Sequence, residues 1–393
     1  MPRNFHFVLD TSSSMSYDSK LTKAKEALST FIDSLTEQDT FTIQSFGSRG
    51  TEELWGSGTA TPEEKEDAKR FLINLRATSL KTDLHEALLL GLLRAIDDAK
   101  KSSDDTATIL VLISDGYATR GETNRTKIAE HVLDLNKQGL VKMFSLGFQG
   151  SADMQLLDAI ALMNSGVSAP ILRGQDDFAQ QISDFLHSEI GSILMSDVNV
   201  KYSAEGANVF GETQTKFPVL ADGYEVVVRG LIGKSGGGAN LKATTEASTT
   251  DGIKSWELIA APNTDDATKS SLCFQSYAHD RITQLLRLYD ASDFLGDDLV
   301  KRLVTLSSEC TEDKFAKCVR AEALSVAVEA NIVAKGLTAM VTVDDEKCTK
   351  IDEEAEVSVL VAFTQTAVSR STFTTYPFIV NALSPKVPRW NHA

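Results

Sequence analysis

The chain has a deficit of positive charge, few cysteines and no long apolar run. Its 39 Lys and Arg residues stand against 55 Asp and Glu, which gives a formal net charge of −16 at pH 7 and a pI near 4.9. Phosphate backbones and anionic membranes do not attract such an acidic protein, so nucleic acid is an unsuitable main partner. No apolar run approaches the ~20 residues that cross a bilayer, so we expect no membrane span.

Cysteine occurs only in the last third of the chain, at Cys273, Cys310, Cys318 and Cys348. Four cysteines allow two disulfides in any of three pairings, and four free thiols are the alternative. On one continuous helix Cys310 and Cys318 would lie about 12 Å apart, too far to bridge, so that pairing requires the helix to begin after Cys310. The disulfide state and the redox compartment stay open.

The first residues leave no room for a secretory signal peptide, because Met1 to Asn4 lead directly into an apolar run. We therefore expect a cytoplasmic protein, or an extracellular one if a segment upstream of Met1 is missing. The 393 residues are enough for two or three cores, since a domain typically takes about 100–150 residues. The oligomeric state is not indicated.

Residues 1–194 alternate between strand-like and helical patterns. The strand-like runs are Phe5–Leu9, Phe41–Phe46, Ala107–Ile113, Val141–Phe148 and Ala169–Leu172. Alternation of this kind predicts an α/β fold with a mostly parallel sheet wrapped by helices. The short piece Glu52–Trp55 follows a Gly-containing turn and is predicted to be an antiparallel edge strand.

After residue 194 the pattern changes to strand signals separated by Gly and Ser turns. It predicts an antiparallel, sandwich-like β domain formed by residues 195–277 and 337–385. A helical segment, residues 278–336, is predicted to interrupt that domain.

An Asp-x-Ser-x-Ser sequence, Asp10, Ser12 and Ser14, follows the first apolar run. A carboxylate and two hydroxyls in a tight loop can point at one small hard cation, and such oxygen donors suit Mg²⁺. Two further candidates are Thr82, before a helical run, and Asp115, after the strand-like run that begins at Ala107.

Each of these residues has a structural explanation when taken alone. Ser-rich turns are common, Thr82 and Asp83 can cap a helix, and Asp115-Gly116 is an ordinary turn signal. Taken together, they lie where parallel strands end, which is where open α/β sheets place ligands. We therefore predict one site for Mg²⁺ or Mn²⁺, with Asp10, Ser12, Ser14, Thr82 and Asp115 as its ligands.

Two enzyme-like motifs lack the context that their chemistry needs. His85-Glu86 begins like a zinc-protease helix, but Leu89 occupies the place of the second histidine, so His85 is interpreted as a surface or capping residue. Gly233 to Gly237 fits the Gly-x-Ser-x-Gly pattern but leads towards another strand, and is interpreted as a hairpin turn. With no Ser/His/Asp or Cys/His grouping, we expect no enzyme.

With Asp10-x-Ser12-x-Ser14, Thr82 and Asp115 in that order, the first domain resembles the von Willebrand factor type A family and its metal-ion-dependent adhesion site. The resemblance implies that Ser12, Ser14 and Thr82 contact the metal through hydroxyls, and that Asp10 and Asp115 act directly or through water. It also implies one open coordination position that accepts a carboxylate oxygen from a partner protein.

The rest of the chain is similar to the heavy chains of inter-alpha-trypsin inhibitor. The suggestive pieces are Leu194–Tyr202, Tyr224–Gly230, Arg281–Leu288 and Ala330–Val341. Two features of that family are missing: the module before the A domain, and the Asp-Pro-His ending through which secreted heavy chains are esterified to hyaluronan. Covalent transfer to hyaluronan is therefore not implied.

The resemblance predicts a non-enzymatic, divalent-metal-dependent protein-binding module for adhesion, matrix or complex assembly. Such a module captures an acidic group of a partner through Mg²⁺. Two alternatives are a structural protein whose metal only stabilises the domain, and a hydrolase or nucleotide-handling enzyme on the same fold.

Overall fold

The computed structural model describes residues 1–103, 106–173, 177–191, 193–205, 208–221, 227–232, 240–260, 267–292 and 314–330. It also describes single residues and one pair between 297 and 334, and the short stretches 360–362 and 379–381.

A six-stranded sheet forms the centre of the first domain, in the order β3-β2-β1-β4-β5-β6. Its strands are β1 (Arg3–Asp10), β2 (Thr40–Phe46), β3 (Glu53–Thr59), β4 (Ala107–Ser114), β5 (Val141–Phe148) and β6 (Ser168–Ile171). The neighbouring pairs are parallel, except that β3 runs antiparallel to β2 at one edge. The predicted α/β class, the mostly parallel sheet and the antiparallel edge strand are confirmed.

Helices cover both faces of this sheet. They are α1 (Lys20–Ser34), α2 (Pro62–Asn74), α3 (Leu84–Lys101), α4 (Arg125–Leu135), α5 (Met154–Met163) and α6 (Phe178–Ile190), and a 3₁₀ segment, Ser13–Ser19, precedes α1. In β1, Phe5 and Phe7 pack with α1 and α6, whereas Val8 faces the core that contains α3, α4 and α5. Since successive side chains point to opposite faces, a doubly covered strand is apolar at nearly every position.

The strand order creates a crevice between β1 and β4. The chain passes from β1 to β2 on one side and later returns to β4 on the other side of β1. The loops that leave the carboxyl ends of β1 and β4 therefore diverge, which is the arrangement that places ligand sites in open α/β sheets.

An antiparallel sheet of four strands follows, in the order β12-β11-β7-β9. Its strands are β7 (Ile193–Ala204), β9 (Lys216–Ala221), β11 (Leu241–Thr249) and β12 (Gly252–Ala260), and a small pair comprises β8 (Val209–Phe210) and β10 (Leu231–Ile232). This sheet confirms the antiparallel part of the predicted fold class. The predicted turn at 233–237 lies outside the described residues.

Two helices pack beside the first domain, α7 (Ala267–Ala291) and α8 (Phe315–Glu329). Buried side chains of both belong to the same core as α3, α4 and α5. The fully buried Arg281 on α7 pairs with Glu322 on α8 at 2.6 Å and donates to the Glu212 carbonyl oxygen at 2.6 Å. Helix α7 begins before the predicted start at 278, inside the stretch predicted to be β.

Cys310 and Cys318 form a disulfide, with their Cα atoms 5.6 Å apart. Helix α8 begins at Phe315, after Cys310, which is the condition that this pairing requires. The side chain of Cys273 and all of Cys348 lie outside the described residues.

In the last part of the chain, β13 (Leu360–Ala362) pairs antiparallel with β14 (Ile379–Asn381). The remainder of the predicted β stretch 337–385 lies outside the described residues. Within the part of the chain that the structure describes, no helix combines the length and the apolarity needed to cross a membrane.

Candidate metal centre

Asp10 is the last residue of β1 and is fully buried. Its Oδ1 accepts a hydrogen bond from the Ser12 backbone N–H at 2.8 Å, and its Oδ2 accepts one from the Ser114 hydroxyl at 2.6 Å. Burial raises the pKa of Asp10 to about 6, although the hydrogen bonds from Ser114 and Ser12 oppose that shift. A buried carboxylate of this kind lacks sufficient positive compensation.

A chain of hydroxyls connects the first loop to Asp115. The Ser12 and Ser14 hydroxyl oxygens lie 2.9 Å apart, and the Ser14 hydroxyl donates to Asp115 Oδ1 at 2.7 Å. The first loop is itself held in place, because the Ser13 backbone N–H donates to the Ser79 carbonyl oxygen at 2.7 Å. A backbone hydrogen bond therefore joins the loop after β1 to the loop before α3.

The second carboxylate oxygen of Asp115 forms an ion pair with a lysine. Lys20, the first residue of α1, donates from Nζ to Asp115 Oδ2 at 2.6 Å, and its side chain is only 4% exposed. The same ammonium group lies 3.3 Å from the Ser151 hydroxyl and 5.5 Å from the centre of the Phe148 ring. One side of the site thus already contains a fixed positive charge.

Thr82 lies on the other side of the crevice, beside Gly116. A Cβ atom built on Gly116 would be 3.6 Å from Thr82 Oγ1, so the threonine hydroxyl faces the turn that carries Asp115. The Thr82 backbone N–H donates to the Thr119 hydroxyl at 2.8 Å, and its carbonyl oxygen accepts from the Thr119 N–H at 2.9 Å. Both backbone bonds fix the threonine relative to the loop after β4.

Asp83 caps helix α3 and so has a structural role beside the candidate centre. It is the N-cap of α3, and its carboxylate accepts a hydrogen bond from the Glu86 N–H. Gly121 has a φ of +66°, and a Cβ there would come within 2.6 Å of an Asp83 carboxylate oxygen. This turn therefore requires glycine both for its left-handed conformation and for the close approach.

The donors gathered here fit a small hard cation. They are alcohol and carboxylate oxygens, and Mg²⁺ prefers few carboxylates and keeps several waters. No group of three or more His, Cys, Asp or Glu side chains among the described residues is arranged to hold a metal. The candidate centre has only two such side chains, Asp10 and Asp115, so its fit to a metal rests on the three hydroxyls of Ser12, Ser14 and Thr82.

The structure brings all five predicted residues to the same edge of the sheet, and their role as metal ligands stays a prediction. Sequence reasoning missed two neighbours, Ser114 and Lys20. Ser114 directly precedes Asp115 and could have been found from that position. Lys20 carries no comparable signal, because a lysine at the start of an amphipathic helix is usually solvated.

Exposed apolar side chains occur in each of the three loops that carry the candidate ligands. Tyr17 is 69% exposed, Leu80 is 87% exposed and Tyr117 is 49% exposed. Tyr17 follows Ser14, Leu80 precedes Thr82 and Tyr117 follows Gly116. The Arg125 guanidinium lies 5.4 Å from the centre of the Tyr117 ring.

Comparison with known proteins assigns this domain to a family. Residues 4–185 match the von Willebrand factor type A domain. The chain is 30% identical over 238 residues to inter-alpha-trypsin inhibitor heavy chain H3 of Rattus norvegicus, a match that covers 59% of this chain and 26% of that protein. It is 30% identical over 234 residues to heavy chain H4 of Homo sapiens, covering 59% of this chain and 24% of that one. The chain thus spans about a quarter of the curated relatives that it matches.

A solved structure shows the same fold. The von Willebrand factor type A protein from Catenulispora acidiphila aligns with 84% of this chain and 80% of its own, with a TM-score of 0.50 and 16% sequence identity. At that identity the likeness concerns the fold alone. Residues 4–185 therefore form a von Willebrand factor type A domain, in a chain that is similar to the inter-alpha-trypsin inhibitor heavy chains.

Proposed function

We propose that this protein is a non-enzymatic binding module that holds Mg²⁺, or Mn²⁺, at the carboxyl edge of its parallel sheet and captures a carboxylate of a partner protein. The family match and the heavy-chain relatives support a protein-interaction module in general. The metal dependence and the acidic partner are our proposal.

The observation that carries it is the connected set of oxygen donors. Ser114 donates to Asp10, Ser12 lies against Ser14, and Ser14 donates to Asp115. These residues come from loops far apart in sequence, so the arrangement is made by the fold and not by one turn. Hydroxyls that are already oriented in this way need little rearrangement to bind a cation.

The candidate ligands would include more neutral hydroxyls than carboxylates. Ser12, Ser14 and Thr82 would offer neutral oxygens, so the positive charge of the cation is only partly compensated by the protein. The bound ion would supply an electrophilic position for an anionic oxygen of the partner. The ammonium group of Lys20 would offset part of the negative charge of Asp115.

The surface around the site favours an acidic side chain that projects from an apolar background. Tyr17, Leu80 and Tyr117 are the exposed apolar residues of the three loops. Burying them against a partner excludes water from the ionic contact and so strengthens it. This arrangement suits a single Asp or Glu flanked by apolar residues.

A metal-binding experiment tests the first half of the proposal. The full chain is titrated with Mn²⁺, followed by electron paramagnetic resonance, and the bound Mn²⁺ is then displaced with Mg²⁺. We expect one site, weakened in Thr82→Ala and unchanged in Thr30→Ala. Thr30 is the matched control, because its hydroxyl bonds to the Glu26 carbonyl oxygen on the exposed side of α1. Equal binding by both variants contradicts the proposed site.

A peptide selection tests the second half. A displayed random peptide library is selected on the full chain in Mg²⁺ and eluted with EDTA. We expect enriched peptides to contain an Asp or Glu, and replacement of that residue by Asn or Gln to abolish binding. Metal binding without any carboxylate-dependent peptide would favour the structural alternative. Turnover of a substrate by the chain would favour the enzymatic one.

A further inference from the structure

Two histidines from neighbouring helices meet outside the candidate magnesium centre. His85 lies in the first turn of α3 and is partly exposed, and His131 lies on α4 and is exposed. His85 Nε2 and His131 Nδ1 share a hydrogen bond of 2.9 Å, in which either ring can be the donor, and the ring centres are 5.0 Å apart. A metal ion bound by both nitrogens would replace this hydrogen bond. The two residues are far apart in sequence, so the fold creates the pair.

The separation of the two nitrogens matches that of two ligands on one metal ion. Imidazole nitrogens bind divalent metals at about 2.0–2.1 Å, so two of them lie about 2.9 Å apart at a right angle and about 3.4 Å apart at the tetrahedral angle. The observed 2.9 Å corresponds to the right angle. Right-angled imidazole ligands are typical of Cu²⁺ and Ni²⁺ sites, and tetrahedral ligands are typical of Zn²⁺.

The electrostatic surroundings favour a cation. The carboxylates of Asp83, Glu122 and Glu86 all act on His85, and Glu122 also lies 3.7 Å from Lys127. Burial and the neighbouring His131 lower the pKa of His85, which favours the neutral form of its ring. A neutral ring can use its lone pair as a metal ligand.

We propose that His85 and His131 together bind one Cu²⁺ or Ni²⁺ ion in an open surface site that joins α3 to α4. No third His, Cys, Asp or Glu among the described residues completes a set of three there, so water takes the remaining positions. This site differs chemically from the oxygen-rich centre, because nitrogen donors select transition metals and alcohol oxygens do not.

Because the two ligands belong to different helices, the bound ion acts as a crosslink. Metal that binds only the folded arrangement stabilises it by mass action. Helix α3 begins at Leu84, two residues after Thr82, so a crosslink at His85 also restrains the loop that carries a candidate magnesium ligand.

The test is a Ni²⁺ titration of the full chain, followed by calorimetry and by the melting temperature. The variants are His85→Gln, His131→Gln and, as a control, His187→Gln. His187 is an exposed histidine on α6 whose ring nitrogen contacts the Ser183 carbonyl oxygen of its own helix. Asp10→Ala is included so that the magnesium centre is disabled independently.

We expect one Ni²⁺ per chain and a rise in melting temperature on adding Ni²⁺. Each of His85→Gln and His131→Gln should weaken binding about tenfold or more, because two-point attachment is lost. Both should remove the thermal shift, whereas His187→Gln and Asp10→Ala should behave like the parent. All variants are checked for a native melting curve without metal.

The proposal is overturned if His85→Gln or His131→Gln binds Ni²⁺ as the parent does. It is also overturned if Asp10→Ala abolishes the binding, because the ion would then belong to the oxygen-rich centre. Loss of Mn²⁺ binding at that centre, by contrast, leaves this proposal unaffected.

Discussion

Strand β1 begins and ends at a buried charged residue. The two residues differ in whether an opposite charge compensates them. At its start, Arg3 donates two hydrogen bonds to the Asp39 carboxylate, from Nε to Oδ1 at 2.8 Å and from a terminal nitrogen to Oδ2 at 2.5 Å. Arg3 also donates to the carbonyl oxygens of Ile190 and Gly191, at the end of α6. At its far end Asp10 accepts hydrogen bonds from Ser12 and Ser114, and none of the described residues forms an ion pair with it.

The pKa shifts of the two carboxyl groups show the contrast. Burial alone would raise the pKa of Asp39, but hydrogen bonds from Arg3 and Thr36 hold it below its usual value. Burial raises the pKa of Asp10 to about 6. At the amino end of the sheet, the ion pair of Arg3 with Asp39 stabilises the fold. At the carboxyl end, the negative charge of Asp10 is available for compensation by a ligand.

Removing the completed ion pair should have the largest effect on stability. In Asp39→Ala the buried Arg3 loses its carboxylate, and an uncompensated buried charge costs about 3–5 kcal/mol of unfolding free energy. Urea unfolding measures this, and Mn²⁺ affinity of the folded protein should stay the same. A loss of Mn²⁺ affinity would show that the two ends are not independent.

A substitution at the carboxyl end of β1 should lower metal affinity without lowering stability. Asp10→Asn keeps the shape of the side chain, and we expect Mn²⁺ affinity to fall at least about a hundredfold, or about 2.7 kcal/mol. Stability without metal should not fall, because the substitution removes a buried charge without a cationic partner. A large loss of stability in metal-free protein would mean that Asp10 serves mainly to hold the fold.

His6, between the two ends, should give a pH dependence of intermediate size. Burial, assisted by Arg94, lowers the pKa of His6 to about 4 from 6.5. The folded state therefore favours the neutral ring, and its contribution to stability is present above pH 6.5 and is lost as the pH falls. Between pH 7 and pH 5 the loss should be about 2 kcal/mol.

The measurement for His6 is the difference in unfolding free energy between the parent and His6→Asn at the two pH values. Other titrating groups, including Asp10, cancel in that difference as long as they do not interact with His6. Equal pH dependence of the two proteins would show that Asp98, 3.5 Å from His6 Nε2, offsets the effect of burial.

The smallest expected effect concerns the lysine at the site. Lys20→Met removes the ammonium group from Asp115, so the site becomes more negative. Mn²⁺ affinity should rise by on the order of 1 kcal/mol, about fivefold. Lys23→Met is the matched control, because Lys23 lies on the same helix and pairs with Glu26 and Asp177 at the surface. A fall in affinity would assign Lys20 a necessary orienting role.

The parallel sheet and the loops of the candidate centre were predictable because their signals are local. Asp10, Ser12 and Ser14 lie within one turn of chain, and strand ends in an α/β sheet meet at one edge. The contact of Lys20 with Asp115, 95 positions away in sequence, was not predictable, because a lysine at the start of an amphipathic helix is usually solvated and no strand end places it at the site. The same limitation applies to His131, which lies 46 positions from His85.

The early start of α7 was missed for a different reason. Its first turns include Thr268, Ser270 and Ser271, and such residues are weak helix formers because their side chains compete for backbone hydrogen bonds. From Phe274 onward α7 packs against the core shared with α8 and the first domain, and a helix stabilised by packing can include residues of weak helix preference.

The bonds from Arg3 to Ile190 and Gly191 have a consequence for how the first domain is attached to the rest of the protein. They place the entry and the exit of this domain within the reach of one side chain. A unit whose two ends meet can be inserted into a longer polypeptide without stretching either connection. The exit also lies at the amino end of the sheet, so the next strand leaves from the side opposite the candidate centre. The linkage to the second sheet therefore starts at the edge of the first sheet opposite to Asp10 and Thr82.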